Sequence, residues 1–564
     1  MRFAKLFNSD LHNVHHAAFW LAVFSLLSAF LGMFRDRLLA GHFGASRELD
    51  IYYAAFRVPD FIYTLMLLFT ASTALIPIFL ETSQDQKKSI NNLIGSLIIV
   101  FSSAVFVLGL AAFFLMPYFV GFSFSGFSFE EKELTVLLSR ILLVSPLLLG
   151  LSNIFASVTQ TFGRFFIYGL SPVVYNLGII FGILTFMKFW DLPGLAAGVI
   201  LGAVLHMGVQ TALLWRLGVK PNFSGFLFED IRNVVALSLP RTISLQVGQI
   251  LSIILTGVAS TLAVGSITVF NLASNLEFIP ITVIGLSYSI AAFPALAEYS
   301  LKKAKEHFET HFSAAFRHIL FWALPFSLIL LTLRAQIVRV ILGSGNFSWS
   351  DTRLTAASLM LLAFAVTFQS AILLLVRAFH AEGEVWRPLF INIISTLFGA
   401  GAVFWFVFAL EPGSAASAFL ASLLRISDIY DIRVIALSMG VLIGSVANFL
   451  LLALAFWRVF GWAPWKGAKR SVFEITSAGI CGALGAYSGL AIFAGMFNLH
   501  TFFGVLLQGI FSGILGIFIA GAFLWVLKNR ELLEIHESVL KILREEEKEK
   551  AEHKVPPPEP EKLP

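Results

Sequence analysis

Cysteine and charge are both scarce in this 564-residue chain, and each shortage excludes a class of protein. The single cysteine, Cys481, lies in an apolar stretch, so the chain has no basis for a disulfide framework or a thiolate metal site. Charged residues make up 13% of the sequence and hydrophobic residues 58%, which leaves too little polar surface for a soluble protein of this size. The composition therefore predicts a polytopic membrane protein.

Motifs for catalysis and nucleotide binding are also missing. The sequence contains no glycine-rich phosphate loop, no nucleophile motif, no HExxH and no cysteine cluster. We therefore expect no enzymatic activity, no bound metal and no cofactor. Any energy that the protein requires would come from the membrane potential or from a proton or sodium gradient, and Asp36, Asp60 and Glu277 are the carboxylates available for such coupling.

Long hydrophobic runs are what the chain has in abundance. A spanning helix needs roughly 20 mostly apolar residues, and about fourteen runs of that kind follow one another along the sequence. Their predicted ranges are 16–38, 51–80, 92–118, 133–160, 165–188, 193–216, 234–262, 267–296, 313–342, 353–378, 388–411, 433–458, 472–495 and 502–527. We expect an all-α membrane protein with about fourteen transmembrane helices.

Lysine and arginine are concentrated in the loops that follow the even-numbered runs, as at Lys87, Lys302 and Arg458. Because basic residues favour the cytoplasmic side, these loops and both termini are predicted to be cytoplasmic. The alternate loops, such as "GSGNFSWSD", are short of basic residues and are predicted to lie outside. The longer outer segment 411–431 is expected to contain a short interfacial helix.

An internal repeat relates residues 51–81 to residues 268–298. The acid–Phe–Ile cluster that begins at Asp60 aligns with the one that begins at Glu277, without a gap. An offset of six helices preserves orientation, so the repeat would be parallel. The predicted division is 1–218 and 219–460 for two six-helix lobes, 461–530 for two further helices, and 531–564 for an amphipathic and disordered cytoplasmic tail.

Ionisable side chains within the apolar runs are the candidate functional residues, because charge at membrane depth is costly unless it faces protein or water. Those residues are Arg35, Asp36, Arg37, Asp50, Arg57, Asp60, Arg140, Arg241, Glu277, Arg334 and Arg339. Solitary polar residues such as His206, Asn176, Asn271, Asn275 and Asn392 are expected to form interhelical hydrogen bonds.

Three consecutive charged residues, Arg35, Asp36 and Arg37, occur near the end of the first run. Successive helical residues are about 100° apart, so the three side chains cannot all face one cavity. Both arginines could simply reach the headgroups, although the positive-inside bias disfavours arginine at this predicted outer end. We expect Arg35 to point inward, Asp36 to pair locally or with a neighbouring helix, and Arg37 to reach the headgroups.

Arg57 and Asp60 lie on one face of the second run, and Pro59 between them is expected to bend the helix. A purely structural ion pair and a contact with substrate remain equal alternatives for these two residues.

Arg241 follows Pro240 in the seventh run, with Gln246 and Gln249 further along the same helix. This pattern is typical of a polar strip that faces a cavity, and the alternative is an arginine at the helix boundary.

Several motifs occur in an order and spacing that resemble the lipid II flippase family (MurJ, also called MviN) of the multidrug/oligosaccharidyl-lipid/polysaccharide (MOP) exporter superfamily. The opening pattern of that family is matched by Gly32, Arg35, Asp36, Phe43, Gly44, Asp50, Phe56, Arg57, Pro59 and Pro77. Later matches are Arg164, Pro172, Asn176, Phe278, Gly285, Pro294, Gly345, Phe347, Asp351, Arg377, Phe379, Ala381 and Pro388.

The resemblance implies a monomeric protein of the bacterial inner membrane, with two pseudo-symmetric lobes around a central cavity and a lipid-facing groove in 461–530. It also implies transport of undecaprenyl-pyrophosphate-linked peptidoglycan precursor from the inner to the outer leaflet by alternating access. The implied partners are this substrate, membrane lipids and cell-wall synthesis proteins, and no nucleic acid.

The cavity is expected to contain a charged set of side chains, which are Arg35, Arg57, Arg241, Asp36, Asp60 and Glu277. Structural or motif roles are expected for Gly32, Asp50, Pro59, Pro77, Asn176 and Pro294.

Three positions depart from the family, because Ala29, Tyr63 and Ser274 align with positions where its members commonly carry arginine. One hypothesis is that Arg241 substitutes for a lost charge. A second hypothesis is an exporter of another lipid-linked glycan or amphiphile with a less negative headgroup. A third, a non-transporting scaffold, predicts an apolar interior, which the charged residues argue against.

Overall fold

The computed structural model describes residues 14–70, 75, 78, 79, 90–461 and 468–537, and no strand occurs within these ranges. In chain order the α-helices are α1 (Val14–Phe43), α2 (Arg47–Ala55), α3 (Arg57–Thr70), α4 (Ile90–Ser123), α5 (Phe129–Leu142), α6 (Val144–Thr161), α7 (Phe165–Phe181), α8 (Met187–Arg216), α9 (Phe228–Ser260), α10 (Ser266–Pro280), α11 (Ser287–Leu301), α12 (Lys305–Ile341), α13 (Trp349–Ala381), α14 (Trp386–Ala409), α15 (Ala415–Leu424), α16 (Ile435–Phe460), α17 (Ala468–Ala494) and α18 (Phe502–Val526). Two π-helical segments, Gly182–Phe186 and Ile281–Leu286, join α7 to α8 and α10 to α11. The all-helical class predicted from the hydrophobic runs is confirmed for the described residues.

Eleven stretches of the described residues are long and apolar enough to cross a membrane. One of them, Phe165–Arg216, covers two predicted spans, which are separated by a sharp turn where Asp191 has φ 48°. The predicted span 51–80 is interrupted at Phe56, and the predicted span 16–38 carries three charges where its side chains are described. The number fourteen therefore stays a prediction, whereas the multi-pass character is confirmed.

Glycine allows α7 and α8 to pack closely. A Cβ atom on Gly182 would collide with Gly198, and a Cβ atom on Gly178 would collide with Gly202. Small residues in membrane helices permit such close backbone contact, which favours helix association by van der Waals packing. The antiparallel pair α7 and α8 is thus specified by its glycines.

The chain forms two compact units, of which the first comprises residues 1–279, 334–368 and 383–454. A hydrophobic core in this unit includes Leu49, Ile51, Leu138, Leu195 and Val199, and all of these side chains are buried. The short apolar helix expected in segment 411–431 is present as α15, with Phe419 and Leu423 exposed on its surface.

The second unit comprises residues 280–333, 369–382 and 455–564. Within it, α17 and α18 form a close hairpin, because a Cβ atom added at Gly489 would lie 2.9 Å from the Cα atom of Ser512. Residues 530–537 are helical, and the buried carboxylate of Glu531 accepts hydrogen bonds from Arg317 Nε and Ser471 Oγ at 2.8 Å each. Most of the predicted tail 531–564 lies outside the described residues, and the two-lobe division stays a prediction.

Candidate functional site

Arg35 and Asp36 form an ion pair inside the first unit. Arg35 Nη2 and Nε donate to Asp36 Oδ1 at 2.8 and 3.0 Å, and their side chains are 24% and 8% exposed. The two residues are adjacent in α1, so the pair is local in sequence. The charge of Arg35 is therefore largely compensated by its neighbour.

Two asparagines from other helices complete the surroundings of this pair. Asn176 of α7 accepts from Arg35 Nη1 at 3.4 Å and donates to Ser28 Oγ at 3.2 Å. Asn275 of α10 donates to Asp36 Oδ2 at 2.9 Å. The ion pair thus connects α1 to α7 and to α10.

Arg57 has neutral partners instead of a carboxylate. Its Nη1 donates to Ser252 Oγ at 2.6 Å and its Nη2 to Asn271 Oδ1 at 2.7 Å. Its buried Nε has no acceptor in the described part of the chain, and no salt bridge to Asp60 forms there. Within the described ranges, Arg57 therefore has one unused donor and no directly bonded carboxylate.

Asparagines on one face of α10 hydrogen-bond with Arg57 and with the Arg35–Asp36 pair. Asn271 contacts Arg57 and Asn275 contacts Asp36, and residues four apart are neighbours on a helix surface. The predicted set of Arg35, Asp36 and Arg57 is therefore assembled along one helix.

A small cavity of about 170 Å³ lies beside the Arg35–Asp36 pair. Its lining includes Ala29, Gly32, Arg35, Asp36 and Asn275, together with apolar residues of α10 and the end of α12. At Gly32 an added Cβ atom would meet open space, so glycine leaves room there. A cavity with charged and amide groups at membrane depth suits a polar ligand.

The remaining predicted cavity residues have different surroundings. Asp60 is partly buried one turn after Arg57, and its carboxylate accepts no hydrogen bond from the described residues. Glu277 is buried at 5% exposure, two residues after Asn275, and therefore points about 200° away from the asparagine face. Arg241 belongs to α9, but its side chain lies outside the described residues.

Arg37 corrects the expectation that its side chain reaches the headgroups. Its Nη1 donates to the carbonyl oxygens of Val340 and Ile341, at 2.6 and 3.4 Å, in the last turn of α12. Those carbonyls have no intrahelical partners, and a cation is favourable at a helix C-terminus. Arg37 therefore has a capping role that joins α1 to α12.

Asp50 caps the N-terminus of α10 from a distant part of the sequence. Its fully buried carboxylate accepts 2.8 Å hydrogen bonds from the backbone N–H of Gly265 and from both the N–H and the hydroxyl of Thr268. A carboxylate at a helix N-terminus satisfies unpaired N–H groups and interacts favourably with the helix dipole. The interaction joins α2 to α10.

The loop before α13 contacts the end of α1 in a similar way. Asn346 donates from its backbone N–H to Gly41 O at 2.8 Å and from its side chain to His42 O at 2.6 Å. Asp351 accepts from Ser348 N at 2.9 Å and from Ala45 N at 3.4 Å. These contacts and the Asp50 cap together form what we name the outer latch, which comprises residues 41–50, 265–268 and 344–351.

The outer latch gives a structural reason for several of the matched motifs. Gly44 adopts φ 66° and Gly345 adopts φ 54°, conformations that favour glycine, and each lies against backbone of the other segment. All the latch segments lie at predicted outer loops, so the ends of α1 and α12 and the starts of α10 and α13 meet at one end of this unit.

Three of the predicted motif residues are prolines. Pro59 is buried in the first turn of α3, where a missing N–H has little cost, and the break in the helix occurs just before it at Phe56. Pro294 is exposed within α11, and Pro77 lies outside the described residues.

Sequence reasoning did not identify Ser252, Asn271 and Asn275 as direct partners of the charged residues. The sequence feature that could have identified them is the four-residue spacing of Asn271 and Asn275, which puts both amides on one face of an apolar helix.

Comparisons with known proteins show which family and fold this chain resembles. A family model described as lipid II flippase MurJ matches residues 39–427. A probable lipid II flippase MurJ of Thermotoga maritima is 30% identical over 385 residues, which cover 67% of this chain and 76% of the relative. A probable lipid II flippase MurJ of Vibrio cholerae is 26% identical over 504 residues, which cover 84% of this chain and 94% of the relative.

Solved structures show the same fold. A structure described as lipid II flippase MurJ in an inward closed conformation matches with a TM-score of 0.70 and 21% identity, over 90% of this chain and 99% of that one. An inward-facing MATE family multidrug resistance transporter of the MOP superfamily matches with a TM-score of 0.61 and 16% identity, over 77% of this chain and 95% of that one.

The multi-pass fold, together with the match to a flippase family model, defines a membrane transporter. The family match covers more than half of the sequence, so the chain belongs to the lipid II flippase MurJ family.

Proposed function

We propose that this chain moves lipid II from the inner to the outer leaflet by alternating access. The observation that carries the proposal is the assembly of Arg35, Asp36 and Arg57 along one face of α10, inside helices that are otherwise apolar. Charges at membrane depth are costly and are typical of a substrate pathway. Membership of the lipid II flippase family supports the identity of the substrate.

The chemistry of a lipid-linked diphosphate fits this site. A guanidinium group binds phosphate oxygens through strong, directional hydrogen bonds, and Arg57 has an unused Nε–H group and no hydrogen-bonded carboxylate among the described residues. The polyprenyl chain can remain in the bilayer while the headgroup enters the polar site. Arg57 is therefore the residue that we assign to diphosphate binding.

The outer latch supports alternating access. It ties the loops at the predicted outer end through buried hydrogen bonds, of which those to Asp50 are the most enclosed. Release of a headgroup on that side would require these bonds to break, so the latch belongs to a state that is closed to the outside.

A second candidate is export of another lipid-linked glycan or amphiphile with a less negative headgroup. Arg35 is already neutralised by Asp36, and Ala29 lines the same cavity without adding charge. Tyr63 forms a neutral pair with Asn153, at 2.9 Å between Oη and Nδ2. Among the described residues, the site therefore carries less positive charge than the resemblance implies, which suits a substrate of lower charge.

The remaining features of the proposal follow from family membership and sequence. We place the chain in the bacterial inner membrane with both termini cytoplasmic, acting as a monomer that contacts cell-wall synthesis proteins. We assign it no enzymatic activity and no cofactor, and Asp60 is the carboxylate best placed for coupling to a proton or sodium gradient. Arg241 remains a predicted additional cation.

Complementation of a flippase-depleted bacterium tests the proposal. Rescue of growth by the intact chain, and its loss in Arg57→Ala at equal membrane abundance, would support lipid II transport. Failure of the correctly inserted intact chain would instead favour the second candidate. Glu48→Ala, an exposed change in the latch segment 41–50 that removes none of the latch hydrogen bonds described above, is the matched control.

A further inference from the structure

An apolar cavity separate from the charged site lies between α3, α4 and α9. It has a volume of about 260 Å³ and is lined entirely by hydrophobic side chains, among them Val58 and Phe61 of α3, Met116 and Phe119 of α4, and Ile253 of α9. We name it the α4 slot. A water molecule occupies about 30 Å³ of liquid, so the slot is much larger than a packing defect.

Pro117 and Arg140 determine the backbone hydrogen bonding of α4 next to the slot. Pro117 lies inside α4 and has no N–H group, so the carbonyl of Phe113 loses its intrahelical partner. Arg140 Nε of α5 donates to that carbonyl at 3.0 Å, and its guanidinium lies 4.3 Å from the centroid of the Phe113 ring. This contact accounts for an arginine at membrane depth that the charged site does not use.

The slot is continuous with the part of α4 that faces the bilayer. Leu115 lines the slot and is 59% exposed, and Phe114 and Tyr118 beside it are also highly exposed. Met116, on the slot side, is only 1% exposed. One wall of the slot therefore borders lipid while its inner surface is enclosed.

The apolar lining of the slot determines which class of molecule can bind there. An apolar cavity without polar partners does not retain water, and no headgroup could satisfy its hydrogen bonds there. At this depth of a spanning helix the surrounding apolar material is hydrocarbon. We propose that the α4 slot binds one acyl chain of a bilayer phospholipid.

The position of the slot relates this lipid to the charged site. Val58 directly follows Arg57 in α3, and Ile253 directly follows Ser252, the residue that accepts from Arg57. An acyl chain in the slot would pack against α3, which carries Arg57, and against α9, which carries its partner Ser252. The binding of the phospholipid is independent of which headgroup the protein transports.

Native mass spectrometry of the full chain tests the proposal. The protein is released from bilayers of phosphatidylethanolamine and phosphatidylglycerol and then stripped of annular lipid by detergent. We expect the unmodified chain to retain one phospholipid. Ala112→Phe, which fills the slot, is expected to lose it, whereas the matched change Ala111→Phe on the exposed side of α4 retains it. Equal retention in the two variants, or retention of a polyprenyl lipid instead, would overturn the proposal.

Photocrosslinking of the unmodified chain tests the same proposal without a variant that could misfold. Phospholipid with a photoreactive diazirine in its acyl chain is crosslinked in the bilayer, and the products are mapped by peptide sequencing. Attachment at Met116, which bulk lipid does not reach, supports occupancy of the slot. Attachment confined to Phe114, Leu115 and Tyr118 would contradict it.

Discussion

Arg35 and Arg57 lie along the same face of α10, yet the groups that surround them differ. Arg35 is paired with the adjacent carboxylate of Asp36, whereas Arg57 is bound only by the neutral oxygens of Ser252 and Asn271. A carboxylate within the protein neutralises the positive charge that would bind an anionic substrate. Neutral partners position a guanidinium without neutralising it. This difference supports the proposal that Arg35 organises the site and that Arg57 binds the anionic headgroup.

Removal of the Arg57 charge should have the largest effect. We expect Arg57→Ala to reduce transport about 100-fold, because hydrogen bonds to a charged group contribute about 1.5–3 kcal/mol each and 1.4 kcal/mol is tenfold. Arg57→Lys keeps the charge but loses the planar fork, so a loss of about tenfold is expected. Flipping assays in proteoliposomes measure both variants. Transport by Arg57→Ala at the unmodified rate would refute the assignment.

Disruption of the Arg35–Asp36 pair should act mainly on stability. Each single change, Arg35→Ala or Asp36→Ala, leaves one partner uncompensated, and about 2 kcal/mol of destabilisation is expected after allowance for the partial exposure of Arg35. The double variant should be more stable than either single variant. Thermal unfolding in detergent checks this order. Additive losses in the double variant would show that the two side chains are not coupled.

Asp50→Ala should shift the outer latch toward its open form. Loss of an N-cap costs about 1 kcal/mol, and the complete burial of Asp50 places the effect toward about 2 kcal/mol. The labelling rate of Ala45→Cys by a membrane-impermeant maleimide, in a Cys481→Ala background, reports the opening. We expect roughly 30-fold faster labelling with Asp50→Ala, because each 1.4 kcal/mol corresponds to a factor of ten. Glu48→Ala is the control, and an equal increase there would contradict a specific role for Asp50.

The smallest effect is expected at Asp431, in the connection between α15 and α16. Burial alone would raise the pKa of this carboxyl, but the hydrogen bonds and charge of Arg433 outweigh burial and lower it below its usual value. The stabilisation is therefore present above about pH 4 and lost as the pH falls through the lowered pKa. Asp431→Asn should change the free energy of unfolding by less than about 1 kcal/mol. The size of this difference should be the same at every pH between about 5 and 8. A pH dependence within that window would be inconsistent with this pairing.

Hydropathy was sufficient to predict the class of fold and most of the helices. Long apolar runs can satisfy their backbone hydrogen bonds in a membrane only as helices or closed barrels, so the pattern leaves few alternatives. The break between the predicted spans 165–188 and 193–216 was placed correctly, at the turn formed by Asp191. A bend was expected at Pro59, whereas the interruption lies three residues earlier, at Phe56, where neither glycine nor a turn motif marks it in the sequence.

The charged site was only partly predictable for a different reason. Charge is rare in apolar runs, so Arg35, Asp36 and Arg57 could be identified from sequence as candidates. Their partners depend on which helices pack together, and asparagine or serine in a membrane helix has many equivalent neutral partners. Arg37 illustrates the difficulty, since its role depends on carbonyl groups about 300 residues away in the sequence.

The most direct test compares lipid II flipping by the purified unmodified chain, by Arg57→Ala and by Glu48→Ala in the same proteoliposomes. If the chain is a flippase in which Arg57 binds the diphosphate, the unmodified chain and Glu48→Ala will move lipid II, and Arg57→Ala will show about a 100-fold lower rate. Lipid II that stays in its original leaflet with the folded, unmodified chain would contradict the central claim.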